Sequence, residues 1–317
     1  MDVVGIGVPC VDLLAHIRFL PKENQSTALE EYSWQGGGKV PTALVTLARL
    51  GAETGFIGVV GGDLFGRFCL QDFKRHGVDC SRCIVDEEKE TSFSIVLSDE
   101  KTGGRNILFH WGSARQIELD DLDYGYISSA KYLHLSQANH VTQRAAEYTK
   151  QKGNQVVFDA DSYHKSILEM MPVIDVFIAS EFFYKALYDD EDYEMHCGEL
   201  LKSGPRIVVF TLGERGCVGM DEEGFFTVPA FKVKVKDTTG AGDVYHGAFI
   251  YGLLQGWSAK DTARFANAVA AIKCTTIGGR AGIPTLDVVQ TFLNTGHIDY
   301  TEINERVDFY RKRGLMC

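Results

Sequence analysis

The sequence predicts an α/β fold with a central, mostly parallel sheet flanked by helices. Short apolar runs alternate with segments of helical periodicity along the chain, as in parallel sheets covered by helices on both faces. The 317 residues are 45% hydrophobic and 24% charged, which is ordinary for a globular protein with a large core. Two more polar, strand-like segments interrupt this alternation and predict a second, smaller sheet.

The predicted central strands are apolar on both faces, as expected for strands buried within a sheet. They are residues 3–7, 56–60, 156–158, 173–179 and 207–211. Helices are predicted between them from apolar spacing, glycine stops and serine caps. Those helices are residues 41–50, residues 194–203 and a segment that begins after Ser258.

The smaller sheet is predicted from residues 12–36 and 91–113, which are too polar for central strands. Its clearest strand-like stretches are 92–97 and 106–110, with a turn at 99–102. We expect these segments to form a β lid over a core made of residues 1–11, 37–90 and 114–317. A lid excludes water from a site and so protects a reactive group from hydrolysis.

Composition restricts the partners of the chain. The formal net charge is −11, whereas nucleic acids and anionic membranes bind basic faces. No run approaches the ~18 apolar residues of a membrane span, and no secretion signal is visible at the N-terminus. The eight cysteines are therefore expected to be reduced thiols in the cytoplasm. Cys80 and Cys83, with His76, could form half of a zinc site, but a structural zinc needs four ligands and no second Cys-x-x-Cys is present.

The most informative motif is Asp-Thr-Thr-Gly-Ala-Gly-Asp at residues 237–243. Gly240, Ala241 and Gly242 precede a segment with helical spacing, and the N–H groups at a helix N-terminus hold anions. Asp243 lies at that end, where it can accept a proton from a hydroxyl that attacks the bound anion. These four residues predict phosphoryl transfer to an alcohol. Simple helix capping is the alternative.

The complete motif resembles the signature of the ribokinase-like, or phosphofructokinase-B, carbohydrate kinases. The glycine-rich string at 36–39 and the segment 46–52 resemble the first signature of the same family. That string is not a P-loop, because its lysine is followed by Val40 instead of Ser or Thr. The resemblance implies a ribokinase-like fold and an ATP-dependent kinase. The blocks at 230–247 and 273–284 are most similar to the sulfofructose kinase-like members.

The resemblance also implies a sugar site. It assigns sugar contacts to the glycine-rich string and to two further polar residues, and a carboxylate suits a polyol because it accepts several hydroxyl protons. The implied residues are Asp12, Gly37, Gly38, Lys39 and Gln137. The family usually has Asn where Thr42 stands, so this chain departs from the pattern there.

The same resemblance implies an ATP site at the turn after the strand at 207–211. Thr211, Gly213 and Gly216 would lie near the nucleotide. Asn267 would line the adenine base, together with Gly279 in the glycine-rich segment 278–284. Asn267 lies in an alanine-rich helix, and a surface position is the alternative.

Metal ligands are less clearly indicated. The family's Asn-x-x-Glu is replaced by the string Ser-Glu-Phe-Phe at 180–183, so the usual magnesium residues are missing. Asp159 and Asp161 follow the preceding strand and are candidates to hold Mg²⁺ through water. The resemblance further implies a monovalent cation, such as K⁺, near Asp237.

The predicted substrate is a neutral ketohexose or another furanose. Sulfonated or phosphorylated sugars need a cation in a closed site, and Ser26 and Gln137 are uncharged where the resemblance would place one. Arg105 and Arg115 flank the second lid segment. They are the cations that could bind an anionic sugar and so make this prediction wrong. We also expect a homodimer formed through the lid.

Two alternatives remain open at this point. An aromatic wall in the lid, formed by Phe93, Phe109 and Trp111, could stack on a base, which would indicate a nucleoside kinase. A sugar-binding regulator that kept the fold and lost turnover belongs to a different class. The intact Asp243 and glycine turn argue against the regulator.

Overall fold

The computed structural model describes residues 1–99 and 104–313. Its strands are β1 (Val3–Ile6), β2 (Cys10–Ile17), β3 (Leu29–Gly37), β4 (Thr54–Gly61), β5 (Asp79–Asp86), β6 (Phe93–Asp99), β7 (Arg105–His110), β8 (Tyr132–Leu135), β9 (Gln155–Ala160), β10 (Val176–Ser180), β11 (Ile207–Thr211), β12 (Cys217–Asp221) and β13 (Gly224–Val228).

The helices fill most of the connections between these strands. They are α1 (Lys39–Arg49), α2 (Leu64–Arg75), α3 (Tyr124–Ser128), α4 (His140–Gln151), α5 (Lys165–Met170), α6 (Glu181–Leu187), α7 (Tyr193–Leu201), α8 (Ala241–Leu254), α9 (Ala259–Lys273), α10 (Leu286–Thr295) and α11 (Thr301–Arg313). None of the helices within the described residues is long and apolar enough to cross a membrane.

Nine of the described strands form the central sheet, in the order β13-β12-β11-β10-β9-β8-β1-β4-β5. The strands from β11 to β5 are parallel, while β12 and β13 add an antiparallel edge. The predicted α/β fold with a mostly parallel sheet is therefore confirmed. The carboxyl ends of the parallel strands all open at one edge, which is where such folds bind ligands.

The core consists of two apolar layers, one on each face of this sheet. Along β10, Val176 and Ile178 pack into one layer, while Phe177 and Ala179 pack into the other. Burial on both faces explains why the central strands are continuous apolar runs, since each buried side chain of this size contributes about 1.5–3 kcal/mol. Helices α1, α8 and α9 cover the first face.

The second sheet has four described strands in the order β3-β2-β6-β7. Strand β2 pairs antiparallel with β3 and parallel with β6, and β7 pairs antiparallel with β6. Its first strand begins at Cys10, two residues before the predicted segment. The predicted turn at 99–102 lies, apart from Asp99, outside the described residues.

One local prediction is corrected, and one strand was missed. Residue 173 lies in a 3₁₀ turn (Met171–Val173) and strand β10 starts only at Val176. The reason is local, because Pro172 lacks an N–H for strand pairing and Asp175 instead accepts a 2.8 Å hydrogen bond from the Val156 N–H. Strand β5 was not predicted, since none of its residues is fully buried and they show no regular alternation.

The candidate zinc residues have structural roles. The His76 ring shares a 2.8 Å hydrogen bond with the Tyr310 hydroxyl. Cys80 and Cys83 lie in β5 and pack against the apolar core. Burial raises the pKa of the Cys83 thiol to about 12, so this side chain stays protonated. A thiol of that kind is a poor zinc ligand, because zinc binds the thiolate.

Candidate active site

The glycine turn before α8 has the geometry of an anion site. Gly240 adopts the left-handed conformation (φ 72°, ψ 7°), and a Cβ there would lie 2.9 Å from the Cα of Gly279. Gly242 has no such constraint on its backbone and is exposed, and a Cβ at this position would meet nothing within 4 Å. The first turn of α8 therefore presents its N–H groups to open space, as an anion site requires.

Asp243 lies in that first turn, within a cluster of charges from three elements. Lys39 at the start of α1 contacts Asp161 at 3.0 Å, and Asp159 lies at the end of β9. Burial and the Asp159 carboxylate raise the pKa of Asp243, although Lys39 opposes them. The fold thus brings together residues that the sequence suggested separately as base, sugar ligand and metal ligands.

This arrangement predicts a shifted pH dependence. A general base works only when ionised, so a raised pKa in the free protein moves the acidic limb of kcat/KM above the ordinary aspartate value of 3.8. Replacing Lys39 with Gln removes a charge that favours ionised Asp243. The limb should then move to still higher pH in a kcat/KM profile. An unchanged limb, or a shift to lower pH, would contradict the assignment of Asp243 as the base.

His246 is a site residue that the sequence analysis missed. It lies one turn after Asp243 on α8, and its Nε2 is 3.3 Å from Oδ1 of Asp159. Burial works against the ionised form of Asp159, yet His246 lowers the pKa of this carboxyl. Asp159 therefore stays ionised beneath the site. The spacing of three residues from Asp243 was the only sequence signal for His246.

The glycine-rich turn on the sugar side is built on close backbone packing. A Cβ at Gly37 would collide with the Asp12 carboxylate, and a Cβ at Gly38 (φ 92°) would collide with the Val8 carbonyl. Oδ1 of Asp12 accepts a 2.6 Å hydrogen bond from the Ser94 hydroxyl in the small sheet. Asp12, Gly37 and Gly38 are therefore neighbours, as their proposed common role requires.

A buried arginine supports this turn from below. Arg280 is 1% exposed, pairs with Asp72 at 2.6 Å and donates a 2.8 Å hydrogen bond to the Gly37 carbonyl. Its Nε also donates to the Thr42 hydroxyl at 3.3 Å. Thr42 is thus buried, and its hydroxyl is hydrogen-bonded within the protein. The segment 278–284, which the resemblance assigned to the adenine side, holds the sugar-side turn in place through Arg280.

A cavity of about 900 Å³ lies between the carboxyl edge of the central sheet and the small sheet. It is lined by the polar residues Lys39, Gln137, Asp159 and Asp161. Phe109 and Trp111 of the lid segment also line it, with ring centroids 4.4 Å apart in an edge-to-face contact. Its size, and the few polar side chains that converge in it, suit a small polar substrate.

The predicted nucleotide turn follows β11. Gly216 adopts a positive φ of 96°, and a side chain there would collide with the Val228 carbonyl. Gly213 is also at positive φ, and Thr211 ends the strand. Asn267 is 8% exposed and its amide donates to the Val228 and Pro229 carbonyls. Asn267 therefore has a structural role, and its contact with adenine stays a prediction.

The carboxylates near the other predicted cation sites have protein partners. Glu181 pairs with Arg215 at 3.0 Å and with Lys185. Asp237 accepts 2.8 Å hydrogen bonds from the Thr239 and Gly278 N–H groups. The fully buried Lys273 donates to the Asp237 carbonyl at 2.9 Å. Asp159 and Asp161 also have partners, His246 and Lys39, but they are the magnesium candidates that line the cavity.

Residues 6–286 match the pfkB family of carbohydrate kinases. The chain belongs to this family. It is accordingly an ATP-dependent carbohydrate kinase, a phosphotransferase with an alcohol group as acceptor. The match spans the glycine-rich string, the nucleotide turn and the Asp243 motif, and so includes each part of the candidate site.

Similar proteins agree with this placement. The chain is 28% identical to a 5-dehydro-2-deoxygluconokinase of Clostridium perfringens, and the alignment covers 96% of each chain. It is 29% identical to a ribokinase of Lactococcus lactis, over 91% of this chain and 95% of that one. A putative ribokinase II from E. coli, solved with ATP and Mg²⁺, has a TM-score of 0.82 at 22% identity and covers 92% of this chain and 99% of that chain.

Proposed function

We propose that Asp243 removes the proton of a sugar hydroxyl as that oxygen attacks the γ-phosphoryl group of ATP. The observation that carries this role is the position of Asp243 in the first turn of α8, beside Lys39 and next to the open face at Gly242. The N–H groups of residues 240–242 would stabilise charge on the transferring group. Positioning and electrostatics supply most of the rate in such reactions.

We assign Mg²⁺ to the carboxylates of Asp159 and Asp161, acting through bound water. Both line the cavity at the end of β9, and oxygen ligands of this kind suit Mg²⁺ when nucleotide phosphates complete its shell. When bound, Mg²⁺ supplies charge neutralisation of the nucleotide phosphates. A monovalent cation at Asp237 stays a prediction, and Lys273 already provides one positive charge beside that residue.

The substrate we propose is a neutral ketohexose or another furanose, held by Asp12, the glycine turn, Lys39 and Gln137. Three cations among the described residues near the site are engaged within the protein, although Lys39, which pairs with Asp161, and Arg115 also line the cavity. Arg115 pairs with Asp121 through two contacts of 2.5 and 2.9 Å, and Arg105 donates to Thr238 at 2.7 Å. An anionic sugar would have to draw Lys39 or Arg115 away from its carboxylate partner, which is costly in a closed site.

A substrate panel tests this proposal. We expect the highest kcat/KM for fructose or ribose in a comparison with sulfofructose, fructose 6-phosphate and 2-keto-3-deoxygluconate. A buried charge without a partner costs several kcal/mol, so the discrimination should exceed about 10². If an anionic compound gives the highest value, the proposal is wrong and Arg105 is the first residue to mutate.

A nucleoside kinase is the second candidate, because Phe109 and Trp111 line the cavity. Phe93, the third member of the predicted aromatic wall, instead packs against Phe65 and His110. The wall is therefore smaller than predicted. Competition by adenosine against the sugar distinguishes the two substrates, and sugar-dependent ATP consumption excludes a regulator without turnover.

We further propose that the small sheet joins two copies of the chain. Its pairing register places Leu13, Tyr32, Ile95 and Leu108 on one face. Tyr32 is 48% and Leu108 57% exposed, so this apolar face is open to solvent. Exposed apolar patches of this kind mark interaction sites, and identical faces pair about a two-fold axis.

Replacing Leu108 with Asp should therefore convert a dimer into a monomer at micromolar concentration. The matched control is Phe182→Asp, which charges an apolar side chain that is 77% exposed and lies outside the small sheet. Light scattering coupled to size exclusion gives both masses. The proposal fails if the wild type is monomeric or if both variants remain dimers.

We place the protein in the cytoplasm. The seven cysteines within the described residues are all free thiols, and those in the core pack as small apolar side chains. Free thiols persist in reducing compartments. ATP, the phosphoryl donor of this kinase, is supplied in the same compartment.

A further inference from the structure

A buried cluster of His134, Asp159 and His246 lies beneath Asp243. One ligand atom from each of the three lies within 4.8 Å of the other two. The side chains come from β8, β9 and α8, and their residues are 0%, 4% and 5% exposed. The two imidazole rings stack with centroids 5.8 Å apart. Three separate elements thus direct metal-binding side chains to one point in the interior.

Two ring nitrogens in this cluster have no protein partner among the described residues. They are Nε2 of His134 and Nδ1 of His246. The other nitrogen of His134, Nδ1, lies 3.3 Å from the Val157 carbonyl. Nδ1 therefore carries the proton and donates it there, which leaves Nε2 as a buried lone pair. His134 thus has the arrangement typical of metal-bound histidines, with the remote N–H held by a carbonyl. In His246 the nitrogen that faces Asp159 is Nε2, and Nδ1 is the remote nitrogen.

We propose that His134, Asp159 and His246 form a binding site for a divalent transition metal, with Zn²⁺ and Co²⁺ as its probes. Two imidazoles and a carboxylate are a ligand set that suits these ions, with a fourth position left for water. Asp159 lines the cavity and so provides the route of entry. Mg²⁺ prefers oxygen ligands and would not occupy a site rich in imidazole.

Occupation of this site is expected to inhibit phosphoryl transfer. The ion would engage Asp159 and place two positive charges near Asp243, which makes that carboxylate a weaker base. This consequence rests on the proposed role of Asp243, whereas the binding of the ion does not. The two parts can therefore fail separately.

The test is a titration of the metal-free protein. Co²⁺ binding is followed by its visible absorption and Zn²⁺ binding by competition with a coloured chelator. We expect one equivalent to bind the wild type, without the charge-transfer band of a thiolate ligand. His134→Gln should weaken binding at least ~100-fold, since losing even an outer-shell partner costs about 10–100-fold.

The matched control is His196→Gln, which changes another buried histidine that bonds to Tyr184. It should bind the ion as the wild type does. Circular dichroism and activity with Mg²⁺ and ATP check that His134→Gln folds, since His134 does not line the cavity. Absence of a bound ion, or equal binding by His134→Gln, would overturn the site. Binding without inhibition would leave the site intact and contradict the role given to Asp243.

Discussion

Replacing Asp243 with asparagine is expected to lower kcat by about 10²–10⁴ while nucleotide binding persists, because the variant lacks the base. The fold should be unharmed. Burial and Asp159 raise the pKa of Asp243, so its ionised form costs stability at neutral pH, and a neutral amide removes that cost. Steady-state kinetics, nucleotide titration and thermal melting at pH 8 measure the three quantities.

A matched variant separates catalysis from helix capping. Asp261 is the third residue of α9, as Asp243 is of α8, and both are acidic residues in a first turn. Asp261→Asn also removes a favourable interaction with a helix dipole, but Asp261 bonds to the Ser258 hydroxyl, whereas Asp243 is surrounded by Lys39, Asp159 and Asp161. It should leave kcat near the wild-type value. Comparable turnover by Asp243→Asn and Asp261→Asn would mean that Asp243 is a helix-capping residue and not a base.

Gly242→Val should abolish most turnover without unfolding the protein. The space around Gly242 is empty for 4 Å, and its φ is not positive, so a valine fits the free protein. Its methyl groups would occupy the volume where the transferring phosphoryl group meets the N–H groups of α8. Loss of one such donor costs about 10²–10³ in kcat, and we expect at least that loss.

Gly125 offers the control for this substitution. It is the second residue of α3, as Gly242 is of α8, and a Cβ there would meet only the Asp123 carboxylate at 3.4 Å. Gly125→Val tests the effect of valine at this helical position away from the anion site. Its kcat should match the wild type, with stability within about 0.5 kcal/mol. Normal turnover by Gly242→Val, or its unfolding, would remove support for the anion site.

The apolar pattern predicted the central sheet because strands such as β10 are buried on both faces. The same pattern failed at residue 173, where Pro172 and Asp175 set the local backbone. It also failed for β5, which has no fully buried residue, and for the edge strand β13, in which buried and more exposed residues alternate. It missed β12 as well, although the first three residues of that short strand are buried. Burial on both faces along a whole strand is a strong sequence signal, and partial burial is a weak one.

The candidate site was predicted as separate motifs. Sequence alone could not show that Lys39, Asp159 and Asp161 surround Asp243, because these residues are far apart in the chain and meet only through sheet order. The resemblance placed Arg280 on the adenine side. Its hydrogen bond to Gly37 could not be predicted from the sequence, because the two residues are 243 positions apart in the chain. His134 carried no signal, because a lone histidine in an apolar strand has no pattern to match.

We propose that this chain transfers the γ-phosphoryl group of ATP to a neutral sugar, with Asp243 as the base. Mass spectrometry of the sugar after incubation with Mg²⁺ and ATP, using wild type and Asp243→Asn at equal concentration, tests this transfer. We predict a sugar monophosphate and stoichiometric ADP from the wild type, and a trace of either from the variant. Binding of the sugar without any phosphorylated product, or equal product from both proteins, would contradict this mechanism.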